Sequence, residues 1–107
     1  MCFDRGRDNI SGMSEKAYIR VRWLHDLEDE PVDLWSELDG DRFETRKLEI
    51  FRDGSIGFAS ATEATDRTGL GKIAVPPLDE IAQAPEFVAE EVSREEFELR
   101  WKTRHDC

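Results

Sequence analysis

Residues 43–60 read FETRKLEIFRDGSIGFAS and carry the strongest local signal for the fold. Runs with apolar residues at alternate positions lie on both sides of Asp53-Gly54. An Asp-Gly pair supplies the positive φ angles of a two-residue type I′ turn, so this stretch predicts a β-hairpin. A two-residue loop also fixes the register. The predicted pairs are Phe51 with Ile56, Ile50 with Gly57, Glu49 with Phe58 and Leu48 with Ala59.

Two further strands are predicted upstream of the hairpin. Residues 18–24, YIRVRWL, alternate between an apolar face and an arginine face, which is typical of a half-buried strand. The apolar face holds Ile19, Val21 and Trp23. Residues 32–38, VDLWSEL, also alternate, with Trp35 opposite the other apolar side chains. We interpret them as a second strand, although a short helix would fit the same pattern.

Helices are predicted downstream of the hairpin. Pro76-Pro77 precede LDEIAQA, a helix of about two turns that Pro85 ends. FVAEEV, residues 87–92, predicts an edge strand. Ser93 and Glu96 form a capping box that opens a terminal helix over SREEFELRWKTR. Phe97 and Trp101, four residues apart, would pack this helix onto the sheet.

Together these elements predict an α+β fold, in which a C-terminal helix and a short second helix pack on one face of an antiparallel sheet of about four to five strands. The chain of 107 residues is the size of one domain. We expect a disordered leader over residues 1–15, a single α+β domain over residues 16–104 and a tail over residues 105–107.

The charge of the chain limits the partners it can have. Its 25 acidic and 15 basic side chains give a formal net charge of −10, which repels nucleic acids and anionic membranes. The acidity fits either solubility alone or binding to a basic protein. No apolar run is long enough for a membrane span or a signal peptide, so we expect a cytoplasmic protein. Cys2 and Cys107 suggest neither a disulfide framework nor a metal site, and no motif calls for a cofactor.

Acidic residues are concentrated between Asp26 and Asp41, where eight of them occur without a lysine or arginine. Their spacing does not match a calcium-binding loop. A solvated acidic rim is the ordinary interpretation, and a docking surface for a basic partner is the functional one. The candidate partner-binding residues are Asp26, Glu28, Asp29, Glu30 and Asp33.

A second candidate site is a pocket on the sheet that combines aromatic and polar side chains. Its residues would be Trp23, His25, Trp35, Glu37 and Arg46. His25 beside Asp26 has the chemistry of a general base, but no nucleophile motif accompanies it, so no catalytic residue is assigned. Arg46 shares a face with Leu48, and a partly buried guanidinium needs a carboxylate such as Glu37 or Glu44. A structural ion pair and an anion clamp both fit this pattern.

The chain also resembles a family of small bacterial proteins known only as a domain of unknown function. The resemblance spans residues 18–101, and its motifs are Trp23-Leu24-His25-Asp26, Glu30-Pro31, Ser36-Glu37-Leu38-Asp39 and Glu49-Ile50-Phe51 followed by Asp53-Gly54. It implies a stand-alone cytosolic domain and carries over no activity, ligand or catalytic residue.

Two functions are therefore compatible with the sequence. The first is a protein-interaction module, in its most specific form an immunity or antitoxin-like protein whose acidic surface covers a basic partner. The alternative is a small-ligand binder or enzyme that uses a concave sheet face with His25, Glu37 and Arg46. Both a monomer and a homodimer formed through the edge strand at residues 87–92 remain open.

Overall fold

One antiparallel sheet of five strands organises the computed structural model, which describes residues 16–65 and 68–104. The elements are β1 (Ala17–Trp23), β2 (Asp33–Leu38), β3 (Glu44–Ile50), β4 (Ile56–Ser60), α1 (Leu78–Ile81), β5 (Phe87–Glu91) and α2 (Arg94–Lys102). The strand order is β4-β3-β2-β1-β5, so β5 is an edge strand beside β1. This architecture confirms the predicted α+β fold. The proposed leader and tail lie outside the described residues.

The main core lies between α2 and one face of the sheet, which we call the helix face. Its buried cluster consists of Tyr18, Trp35, Leu48, Phe58 and Phe97. Tyr18, Trp35, Leu48 and Phe58 come from four adjacent strands, while Phe97 is the fully buried side chain of α2. Burial of one such aromatic side chain contributes about 1.5–3 kcal/mol. The terminal helix is therefore held mainly by Phe97, with Trp101 packed beside it.

The opposite face of the sheet, which we call the loop face, is also covered. Ile19, Leu38 and Ala59 are buried there. The prediction of a half-buried β1 is therefore incomplete, because Tyr18 is buried on the helix face and Ile19 on the loop face. Residues of the segment after β4 contribute to this cover, since Thr68 donates to Glu49 and Lys47 donates to the carbonyl of Gly69.

The register predicted for the β3–β4 hairpin is wrong by one residue. The observed pairs are Ile50 with Ile56 and Leu48 with Phe58, and Phe51 donates to the carbonyl of Ser55. The loop thus has three residues, and of these only Gly54 has a positive φ, at 91°. The Asp53 carboxylate accepts from the Ser55 amide and hydroxyl, which stabilises this longer turn.

The corrected register changes what faces the helix. Leu48 and Phe58 belong to the core cluster on the helix face, and Ile50 and Ile56 pack against it. Gly57 lies opposite Glu49 on the loop face, where a β-carbon would collide with the Thr68 hydroxyl. A loop therefore approaches the sheet closely at Gly57.

Both helices differ in length from the prediction. α1 is a single turn, because Ala82 ends it well before Pro85. α2 begins after Ser93, whose hydroxyl accepts from the Glu96 amide while the Glu96 carboxylate accepts from the Ser93 amide. This confirms the predicted capping box. Neither helix in the described residues has the length and apolar composition needed to cross a membrane.

Candidate functional site

The acidic candidate residues lie mostly in the connection between β1 and β2, residues 24–32, which we call the acidic loop. Asp26, Glu28, Asp29 and Glu30 are exposed there. Asp33 differs from them because it is the first residue of β2 and accepts two hydrogen bonds from the Arg20 guanidinium, at 2.9 and 2.8 Å. Its charge is compensated inside the domain, so it does not belong to the exposed acidic surface.

His25 stabilises the acidic loop through hydrogen bonds between its ring and the backbone of the loop. Its Nδ1 accepts a hydrogen bond from the Leu27 amide at 2.9 Å, and its Nε2 lies 2.8 Å from the carbonyl oxygen of Pro31. A carbonyl can only accept, so Nε2 carries the proton and the ring is in the neutral Nε2–H tautomer. The ring also lies 4.2 Å from that of Trp23. Both ring nitrogens are engaged in the backbone of the loop, which is a structural role.

Arg52 connects the acidic loop to the β3–β4 hairpin through hydrogen bonds. Its guanidinium donates to the carbonyl of His25 at 2.8 Å and reaches that of Leu27 at 3.4 Å. Because Arg52 lies in the three-residue turn between β3 and β4, these contacts fix the distance between the acidic loop and the tip of the hairpin. The loop is therefore preorganised by two side chains, that of His25 within the loop and that of Arg52 in the hairpin turn.

Two leucines make the acidic loop partly apolar. Leu24 is 57% exposed and Leu27 is 53% exposed, although both belong to the residue types usually buried. They stand next to the four exposed acids in the sequence. Protein interfaces combine an apolar centre with a polar rim, and the exposed leucines and acids of this loop supply both kinds of surface.

A cleft of about 810 Å³ opens between the acidic loop, the hairpin tip and the segment after β4. We call it the loop–hairpin cleft. Its walls include the half-buried Phe51 and Ile56, and its rim carries the carboxylates of Glu28, Asp29 and Asp53. Hydrogen bonds from Ser55 lower the pKa of Asp53, which keeps that carboxylate charged.

Three of the five predicted pocket residues, Trp35, Glu37 and Arg46, lie on the helix face, and two of them, Glu37 and Arg46, belong to a polar network. Glu37 accepts from Arg46 twice, at 2.9 and 2.7 Å, and also from the Tyr18 and Thr45 hydroxyls. Arg46 donates to Glu98 of α2 as well, at 2.6 Å. Arg46 therefore forms the structural ion pair with Glu37 expected from the sequence, with Glu98 as a second partner.

Burial and charge act in opposite directions on this network. Burial disfavours the charged form of Glu37, but the hydrogen bonds and charge of Arg46, together with Thr45, outweigh it and lower the pKa to about 2. Burial and then the charge of Glu37 raise the pKa of Tyr18 to about 12. At neutral pH the carboxylate is thus charged and the phenol is neutral, so neither group is poised to exchange protons.

The predicted pocket residues do not form one pocket. Trp35, which lies opposite Arg20 in β1, shares the helix face with Glu37 and Arg46, whereas Trp23 alternates onto the loop face with Ile19. Trp23 and His25 instead line a separate pocket of about 660 Å³ at the end of β1. In the described part of the chain no three histidine, cysteine or acidic side chains are grouped to hold a metal ion.

Several residues of these sites were not identified from the sequence. A β-bulge between β2 and β3 leaves Thr45 without a partner residue, which turns Glu44 to the loop face. There Glu44 pairs with Lys47 at 3.3 Å instead of with Arg46. Alternation alone could not reveal this shift. The two exposed leucines had a visible signal, since Leu24 precedes the acidic tract and Leu27 interrupts it, whereas no local pattern marks Arg52.

Comparison with known proteins identifies the family of this chain but does not assign it a function. Residues 17–106 match the model of the family described as domain of unknown function DUF6881. A search of curated proteins and a search of solved structures each returned no match. The match covers both the acidic loop and the Arg46 network. The chain therefore belongs to the DUF6881 family of domains of unknown function.

Proposed function

We propose that this domain is a cytoplasmic protein-interaction module whose acidic loop binds a basic surface of another protein. The observation that carries the proposal is the combination of exposed leucines and exposed acids on one braced loop. Leu24 and Leu27 supply apolar contact area, and Asp26, Glu28, Asp29 and Glu30, which are exposed on the same loop, supply negative charge. Interfaces combine an apolar centre with a polar rim in this way.

Preorganisation of the loop supports the proposal. Binding costs free energy when a flexible segment must be ordered, and rigid segments avoid that cost. His25 and Arg52 already hold four backbone groups of the acidic loop, namely the Leu27 amide and the carbonyls of Pro31, His25 and Leu27. A loop that served only solubility would not need this degree of internal bracing.

The overall charge supports the same partner class. A net charge of −10 on 107 residues accelerates association with basic surfaces and slows it with acidic ones. Asp33 does not contribute to this surface, because Arg20 compensates its charge. We therefore restrict the proposed contact residues to Asp26, Glu28, Asp29 and Glu30, together with Leu24 and Leu27.

The test is affinity capture from a lysate of the source organism with the full chain as bait. A loop variant, D26N/E28Q/D29N/E30Q, removes four charges with little change of shape. A matched control, D79N/E80Q/E91Q/E95Q, removes four exposed charges outside the acidic loop. We expect the wild type and the control to retain one basic protein that the loop variant loses.

The captured protein is then titrated against each bait by calorimetry. Exposed charge pairs contribute up to about 1 kcal/mol each, so the loop variant should bind at least about tenfold more weakly than the control. Higher salt should weaken the wild-type complex by screening the same charges. Equal affinity of the loop variant and the control, or capture of no protein, would contradict the proposal.

A further inference from the structure

The outer edge of β5 carries backbone groups that the sheet does not use. Next to this strand, the amide of Val92 donates to the carbonyl of Tyr18 in β1. Bonded and non-bonded pairs alternate in an antiparallel ladder, so the even-numbered residues of β5 bond to β1 and the odd-numbered residues face outward. The amides and carbonyls of Ala89 and Glu91 are therefore directed away from the sheet.

These outward groups have no hydrogen-bond partner in the described part of the chain. The outward amide of Phe87 is used, since it donates to the carbonyl of Ala84 in the turn after α1. α1 packs against β5 but leaves Val88 42% exposed and Glu91 exposed. The edge is therefore open from residue 88 onward.

The other edge of the sheet is already paired. At β4 the amide of Ser60 donates to the carbonyl of Glu63, and the amide of Thr65 donates to that of Phe58. Within the described residues, a further strand would therefore add to β5 rather than to β4.

The charge of this edge favours a basic segment over a second copy of the chain. Glu86, Glu90 and Glu91 are exposed acids at or beside the edge, although Glu90 also lies 3.7 Å from Arg20. Two copies paired through β5 would place the acids of both strands at one interface, and each copy has a net charge of −10. Lysine or arginine side chains would instead form favourable pairs there.

The β5 edge is also continuous with the acidic loop. The amide of Leu24 donates to the carbonyl of Glu86 at 2.8 Å, so β5 begins beside the start of the loop. Exposed apolar side chains lie on both sides of this junction, Leu24 at 57% and Val88 at 42%. A segment lying along β5 therefore leads to the acidic loop.

Resting on the function proposed above, we propose that the partner binds through an extended basic segment that adds to the edge of β5 as a sixth strand. The backbone of the segment pairs with Ala89 and Glu91, and its neighbouring residues contact the acidic loop at Leu24. In strand addition the backbone hydrogen bonds provide affinity and alternate side chains provide specificity. Because these bonds do not need the Glu91 charge, the control bait that includes E91Q should still capture the partner.

The probes are the blocked peptide acetyl-lysyl-valyl-lysyl-valyl-lysyl-valine amide and the same peptide N-methylated at its two central residues. Adjacent N-methyl groups block both edges of the peptide as a strand and leave its charge unchanged. Each is titrated into the isotope-labelled full chain while backbone amide shifts are followed by NMR. We expect saturable shifts at residues 86–92 with the first peptide and at least about tenfold weaker binding of the second, because backbone hydrogen bonds are lost.

Hydrogen exchange tests the edge itself. In the free chain the amides of Ala89 and Glu91 should be less protected than those of Val88 and Glu90, which bond to β1. Saturation with the first peptide should slow exchange at Ala89 and Glu91 by about tenfold or more. Protection of both amides in the free chain would overturn the proposal, and protection that rises with protein concentration would identify a second copy as the occupant.

Two proline variants provide a matched pair. A89P removes an outward amide and should keep the pairing with β1, because an edge strand tolerates proline where its nitrogen faces outward. A74P makes the same substitution at an exposed residue before α1 whose amide donates no hydrogen bond in the described part of the chain. We expect A89P to bind the first peptide at least about tenfold more weakly and A74P to stay within about twofold of the wild type. Equal effects of the two variants, or equal binding of the two peptides, would contradict the proposal. If the spectra show that A89P is unfolded, the two peptides decide on the wild-type chain.

Affinity capture distinguishes this inference from the function on which it rests. If the A89P bait retains the basic protein that the acidic-loop variant loses, the loop is the docking surface and strand addition is wrong. If the loop variant retains a protein that A89P loses, β5 is the docking edge and the proposed role of the acidic loop is wrong. If no protein is captured, the proposed function is contradicted, and the peptide titration still decides whether β5 accepts a basic strand.

Discussion

Arg46 joins three parts of the domain through one guanidinium. It donates to Glu37 of β2 and to Glu98 of α2, and it lies 5.0 Å from the ring of Phe97 and 5.1 Å from that of Trp101. The two carboxylates differ in exposure, since the side chain of Glu37 is 8% exposed and that of Glu98 is 41% exposed. Loss of Arg46 would therefore harm the domain mainly by leaving Glu37 charged and buried.

Replacement of Arg46 by methionine should lower the free energy of unfolding by about 3–5 kcal/mol, the usual cost of breaking one side of a buried pair. The control E98Q should cost less than about 1 kcal/mol, because its carboxylate is largely solvated. In the double variant E37M/R46M no uncompensated charge remains, so part of the loss should be recovered. Urea unfolding followed by tryptophan fluorescence measures all three. A small effect of R46M would show that Glu37 is stabilised mainly by Tyr18 and Thr45.

At the scale of elements, the β3–β4 turn depends on the left-handed conformation of Gly54. Its φ of 91° is unfavourable for any residue with a β-carbon, although no atom lies within 4 Å of the position a β-carbon would take. Gly54→Ala should therefore lower the free energy of unfolding by about 1 kcal/mol through backbone strain alone.

Gly40 provides the matched control, because it also has open space around it and does not have a positive φ. Gly40→Ala should change the free energy of unfolding by less than about 0.5 kcal/mol. Thermal or urea unfolding of both variants under the same conditions tests the difference. Equal effects would mean that the positive φ at residue 54 does not measurably strain a residue with a β-carbon.

The hairpin also shows where prediction from the sequence succeeds and where it stops. Alternation located the strands, and Ser93 with Glu96 located the start of α2, because these signals depend on neighbouring residues. The predicted register was wrong because Asp53-Gly54 is compatible with both two-residue and three-residue loops. The choice between them depends on side-chain hydrogen bonds of Asp53 that a dipeptide motif does not specify.

The candidate site was predictable to a similar extent. A buried arginine needs a carboxylate, so the sequence limited the expected partner of Arg46 to Glu37 or Glu44, and the observed register of β2 and β3 selects Glu37. The prediction that Trp23 and Trp35 line one pocket was wrong. Whether side chains of two strands share a face of the sheet can be decided only when the register of the strands is known. The loop–hairpin cleft depends on Arg52 contacting backbone carbonyls of a distant loop, and no local pattern encodes that contact.

At the scale of the whole molecule, acid pH changes two contributions to stability in opposite directions. The net charge of −10 at pH 7 falls to zero near the isoelectric point of about 4.6, which relieves repulsion among exposed carboxylates such as those of the acidic loop. Protonation of Glu37 instead destabilises the folded domain, because the pKa of this residue is lowered to about 2 in the folded domain from an ordinary value of 4.5. Between these two values the unfolded chain binds more protons at this residue, so stability decreases as the pH falls.

Comparison of the wild type with E37Q isolates the contribution of Glu37, because both chains share every other titrating group. From about pH 5 to about pH 3 the wild type should lose about 2 kcal/mol more than E37Q, which follows from one pKa unit corresponding to about 1.4 kcal/mol. Above about pH 5 their difference should be constant, since the carboxyl is then charged in both the folded and the unfolded wild type. Urea unfolding at a series of pH values provides the measurement. Parallel profiles of wild type and E37Q would mean that Arg46 does not hold Glu37 in its charged form, and the acid sensitivity of the domain would then have to come from its exposed carboxylates.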